Sequence, residues 1–104
     1  MLSRFSEQPM EIRSGGRSVL TTGPVEWAPG EVKALFVVVV RQGDVVAIGI
    51  KQQQPPDQEW DVPVRVLGAG QLTPGPAEGT GTAVGIRSDG SVVTFVWHRT
   101  ITLQ

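Results

Sequence analysis

The chain has 104 residues, with 9 Lys and Arg against 10 Asp and Glu and a formal charge of −1. That is one domain with room for a real core, and too little positive charge for a surface built to hold nucleic acid or an anionic membrane. Cysteine is absent, which removes disulfides, thiolate chemistry and cysteine-based zinc sites together.

Residues 1–9 have no hydrophobic periodicity and read as a loose arm ahead of a single domain over residues 10–104. They contain no apolar core of a secretory signal, and no stretch approaches the ~20 apolar residues of a membrane span. The compartment stays open, with the cytoplasm slightly favoured. Met10 to Arg13 is a short strand, broken by Gly15-Gly16. Ser18 to Thr22 follows as a second strand, and Pro24 puts it at a sheet edge. Pro29-Gly30 supplies the two central residues of a type II turn.

Leu35 to Val40 is a run of β-branched and aromatic side chains, suited to a pleated, packed surface. Gly43-Asp44 closes it into a hairpin through a type II′ turn. The register sets Val37 opposite Ile50 and Val39 opposite Ile48 on one face. Val38 meets Gly49 and Val40 meets Ala47 on the other. Both faces of the first strand are therefore apolar, which predicts a strand covered on both sides or covered by a partner.

Gln52 to Glu59 is a polar loop around Pro55-Pro56. Trp60 to Leu67 alternates, with Val62, Val64 and Val66 on one face. Pro63 predicts an edge strand. Gly68 to Gly79 reads as a long loop. Thr80 to Arg87 and Val92 to Leu103 form a second hairpin around Asp89-Gly90, a type I′ signal. That turn predicts Ile86 opposite Val93, Val84 opposite Phe95 and Thr82 opposite Trp97, as an apolar inner face.

Six to seven strands with regular turn signals and no helical period predict an all-β domain. The expected form is a two-layer antiparallel β-sandwich of the immunoglobulin or fibronectin class, with a small β-barrel or jelly roll as the alternative. The segment Ala83 to Val93, AVGIRSDGSVV, resembles the strand-turn-strand unit of propeller repeats in the regulator of chromosome condensation family. It occurs once, and a propeller needs several blades, so the resemblance implies a hairpin and nothing further.

Little in the sequence carries ready-made chemistry. His98 is the single histidine, and no nucleophile elbow accompanies it. Asp57, Glu59 and Asp61 form a solvated acidic run without the glycine-bearing loop of a calcium hand. No catalytic residue, metal ligand or cofactor is therefore expected. Trp27 and Trp60 stand at strand-loop margins beside carboxylates, with Gln52, Gln54 and Gln58 nearby. An exposed indole can stack on a sugar ring while amides bind its hydroxyls. The expectation is a non-enzymatic protein-interaction or assembly module, self-associating or binding a protein partner. A carbohydrate-binding module at Trp27 and Trp60 is the alternative.

Overall fold

The computed structural model describes all residues, Met1–Gln104. It is all-β, and its strands are β1 (Leu2–Ser3), β2 (Glu11–Arg13), β3 (Ser18–Glu26), β4 (Glu31–Gln42), β5 (Val45–Gln53), β6 (Glu59–Val66), β7 (Gly75–Arg87) and β8 (Val92–Leu103). They follow one path, β1-β3-β6-β5-β4-β7-β8, with β2 also on β3. Every ladder between strands on this path is antiparallel. One continuous antiparallel sheet curls nearly into a barrel, so the barrel alternative fits. The ends meet where Met10 bridges Leu103 in parallel. Three backbone hydrogen bonds make that seam: Met10 to Thr102, Ile12 to Gln104 and Gln104 to Met10. A ring of β2, β3, β6, β5, β4, β7 and β8 has an odd number of members. Strands that alternate in direction around such a ring must leave one parallel pair, and β2 with β8 is that pair.

The β4–β5 hairpin has the register its sequence predicts, with Gln42 opposite Val45, Val39 opposite Ile48 and Val37 opposite Ile50. Gly43 has φ +58, as the first central residue of a type II′ turn requires. Gly30 likewise takes φ +86 in its turn.

The β7–β8 hairpin is shifted by one residue from its predicted register. Ile86 meets Val92, Ala83 meets Phe95 and Gly81 meets Trp97. A type I′ turn needs positive φ at both Asp89 and Gly90, and only Gly90 has it, at +85. The connection is instead a three-residue loop, Ser88–Gly90, closed by the Gly90 amide on the Arg87 carbonyl and the Arg87 amide on the Ser91 carbonyl. Asp89 accepts the Ser91 amide at 2.8 Å, and hydrogen bonding from the Ser91 side chain first, then from this amide, holds its exposed carboxyl below the usual range. A one-residue slip turns every side chain to the opposite face. Thr82, Val84 and Ile86 therefore point outward, and Ala77, Gly79, Gly81, Ala83 and Gly85 point in. The strand also starts earlier than Thr80, because Ala77 and Gly79 pair with Ile101 and Arg99.

Small residues on β7 make room for large ones opposite. Phe5 lies over Gly79 and Trp97 over Gly81. Phe5, Phe36, Trp60 and Trp97 form one aromatic cluster, with ring centroids 5.6 to 6.2 Å apart. Residues 1–9, expected as a loose arm, thus carry Phe5 at 0 % exposure in the centre of the core. β1 and the Ser6 amide tie this segment to β3.

β6 is interior, not the edge strand that Pro63 predicts. It lies between β3 and β5. The proline acts on one side only. Its missing donor faces β5, and the β5–β6 ladder runs only through Ala47–Val66 and Ile48–Arg65. Above that point Gln53 fills the opening, accepting the Asp61 amide and donating to the Asp57 carboxylate.

Candidate functional site: the outer sheet face and its margins

The register of β5, β4, β7 and β8 builds a block of outward side chains. One row reads Gln52, Leu35, Val84, Thr94. The next reads Ile50, Val37, Thr82, Val96, and the third Ile48, Val39, Thr80, His98. None of these carries a fixed charge. Ile86 and Val92 extend the block upward. Ile50 is 61 % exposed, Val92 58 %, Val96 58 % and Leu35 41 %. The β4 run is thus covered on its even-numbered face by the core and bare on its odd-numbered face. The one-residue slip in β7–β8 is what adds Val84 and Ile86 to the bare side, where they join Val92 and Val96 of β8.

A polar row closes the lower margin. His98 Nε2 lies 3.0 Å from Glu78 Oε2, and His98 Nδ1 lies 2.9 Å from Thr80 Oγ1. The Thr100 hydroxyl donates to Glu78 Oε1 at 2.8 Å. With Nε2–H directed at the carboxylate, Nδ1 accepts from the Thr80 hydroxyl. Hydroxyl, imidazole and carboxylate in series have the distances of an activated nucleophile. Acyl transfer also needs preorganised donors aimed at a developing oxyanion. Here the imidazole is more than half exposed, on a sheet face whose central amides are committed to the ladders. The chain Thr80–His98–Glu78–Thr100 acts as a cross-strand pin. Arg41 stands beside it, opposite Glu78 in register.

The sequence-predicted ligand residues are not gathered in one place. Trp60 is fully buried. It stacks on Phe36 with centroids 5.9 Å apart and donates from Nε1 to Ser3 Oγ at 2.7 Å. A buried indole cannot stack on a sugar, so Trp60 leaves the candidate site. Its flanking carboxylates mislead because they belong to the other face of the strand. Continuing the alternation of Val62, Val64 and Val66 back by two residues puts Trp60 inside.

Trp27 is half-buried, edge-on to Phe36, and its Nε1 donates to the Asp57 carbonyl at 2.6 Å. With Pro24, Glu26, Pro56 and Gln58 it borders an open groove. Gln58 therefore joins Trp27. Gln52 projects instead beside Leu35 on the outer face, and Gln54 is exposed in the β5–β6 loop. Asp61 pairs with Lys51 at 3.0 Å. We expect iodide to quench a minor part of the tryptophan emission, and Trp27→Phe to remove that part. Quenching that survives Trp27→Phe would place the accessible indole elsewhere.

No helix is long and apolar enough to cross a membrane. Comparison with family models, with curated proteins and with solved structures found no match to this chain.

Proposed function

We propose that the chain is a non-enzymatic assembly module that binds a second copy of itself through the outer face of β5, β4, β7 and β8. The observation that carries this reading is the uncharged block centred on Val37 and Val39, with Ile50, Val92 and Val96 each more than half exposed. An exposed block of Leu, Ile and Val interspersed with threonines, rimmed by charged residues, supports an interaction site there. Sheet strands lie ~4.8 Å apart and alternate residues ~6.8 Å apart, so three full rows on four strands cover roughly 19 by 20 Å. That is about 400 Å² before Ile86, Val92 and the rim are counted, against about 800 Å² per partner in a standard interface. A second sheet face of the same kind fits it, since sheets pack face to face at ~10 Å. Charge also favours a copy as the occupant. Arg41 and Glu78 adjoin at the margin with opposite signs, and a twofold axis can set each against its counterpart.

Sedimentation equilibrium over a wide concentration range tests the reading. The expected result is a reversible dimer that Ile50→Asp/Val96→Asp converts to monomer with unchanged far-UV dichroism. A strict monomer at high concentration removes self-association. Carbohydrate binding is the second reading, supported by the half-exposed Trp27 beside Gln58 and Pro56 in one groove. A saturable change in Trp27 fluorescence on adding oligosaccharides supports it. No change across neutral and acidic glycans removes it.

A further inference from the structure

Ser18 lies between two arginines. The register sets Arg13 of β2 opposite Ser18 of β3, and Ser18 opposite Arg65 of β6. All three side chains belong to the outward face. Strands ~4.8 Å apart put the two arginine Cα atoms roughly 10 Å from each other across Ser18. Two guanidinium groups on stems of that length can converge on one small anion above the hydroxyl. Arg17 reaches the same place from the β2–β3 turn. Its guanidinium is committed to backbone carbonyls, with Nη1 donating to Gly70 at 2.7 Å and Nη2 to Val66 at 3.4 Å, so it adds charge there without a free fork. Ser14, Arg17, Ser18, Arg65 and Val66 line a single surface pocket, and Arg13 stands at its border, across Ser18 from Arg65.

The charges there have no adequate counterpart in the protein. The ion pairs of the molecule do not include Arg65 or Arg17. Arg13 has only Glu11, 3.5 Å away, and both are at least half exposed. Such a pair is largely screened by water. Three arginines against one glutamate leave about two positive charges at one end of β2, β3 and β6, in a chain whose formal charge is −1. Like charges gathered on one face repel even across an intervening strand, so an external anion relieves the arrangement.

We propose that this pocket binds a phosphate group carried by a small molecule. Arginine forks offer paired donors that match the oxygens of a tetrahedral oxyanion, and the Ser14 and Ser18 hydroxyls supply neutral donors between them. The site lies outside the block of the proposed interface and does not depend on it.

The test follows amide resonances of the whole chain during titration with inorganic phosphate at constant ionic strength, with sodium chloride as the reference salt. Saturable shifts confined to Ser14–Ser18 and the neighbourhood of Arg65 are expected. Arg65→Ser weakens the binding about tenfold or more, the worth of a charge-assisted hydrogen bond. Arg99→Ser, an exposed arginine elsewhere, leaves it unchanged. Both positions are exposed, and far-UV dichroism checks that each variant is folded. Shifts that chloride reproduces, that fail to saturate, or that survive Arg65→Ser overturn the proposal.

Discussion

Trp60→Ala destabilises the protein by about 3–5 kcal/mol, the range for truncating a buried aromatic side chain. A domain of this size is stable by roughly 5–15 kcal/mol in all, so the variant spends much of that margin. Three losses combine. The indole is fully buried and meets Phe5, Phe36 and Trp97 with centroids 5.6 to 5.9 Å away. Its removal opens a void that a closed sheet cannot collapse around. Nε1 also donates to Ser3 Oγ, which itself donates to the Pro24 carbonyl. This relay fastens the first residues of the chain to β3 and β6. Chemical denaturation followed by far-UV dichroism measures the effect, independent of the lost fluorophore. Trp60→Phe keeps a ring against Phe36 and should recover much of the loss. A cost below about 1 kcal/mol for Trp60→Ala, within the range of ordinary surface substitutions and their neighbours, would contradict the packing described.

Gly81→Ala is the second large effect, and its sign is the informative part. A glycine within a strand is ordinarily worse than alanine by roughly 0.5–1 kcal/mol. At Gly81 an added Cβ would lie 2.2 Å from Cε2 of Trp97 and 2.6 Å from its Nε1. Trp97 cannot retreat, because Phe5, Phe36, Trp60 and Phe95 surround it. We therefore expect a destabilisation of about 1–3 kcal/mol, as for other overpacked cores. In Gly81→Ala/Trp97→Leu the two changes should be less costly together than the sum of each alone, a coupling that a double-mutant cycle isolates. If Gly81→Ala raises stability, the indole does not lie on β7.

The same pair explains where sequence reading succeeds and where it stops. The β4–β5 hairpin was legible because its two-residue turn leaves one register that sets bulky residues against small ones. At β7–β8 the dipeptide Asp89-Gly90 points to a two-residue turn, while Ser91 allows a three-residue loop with the same glycine. The two alternatives differ by one residue, and that residue decides which face of β7 is inside. With Thr, Val and Ile on its even positions and Gly and Ala on its odd ones, β7 looks as if the bulky side should be buried. The opposite holds because β8 brings Trp97 and Phe95, and small residues are what two large rings need opposite them. Phe5 was not legible at all, since a lone aromatic in an unpatterned stretch has no period to announce it. The outer face was half legible: the doubly apolar β4 was visible, and its extension onto β7 required the true register. The arginine pocket depends on which strands adjoin, and Arg13, Ser18 and Arg65 acquire a common row only when β6 is placed beside β3.

The parallel seam between β2 and β8 bears on the order in which this chain can fold. Met10 and Leu103 are partners, yet nearly the whole sequence separates them. The β4–β5 and β7–β8 hairpins can form from neighbours as they are made, whereas the seam waits for the last strand. Contacts between distant residues are slow to form because the intervening chain must first be confined. Until then an emerging polypeptide holds a curled, open sheet with Phe5 and the β8 side of the core uncovered. The interval before the seam shuts is when this protein is most exposed to chaperones, to proteases and to other nascent copies of itself.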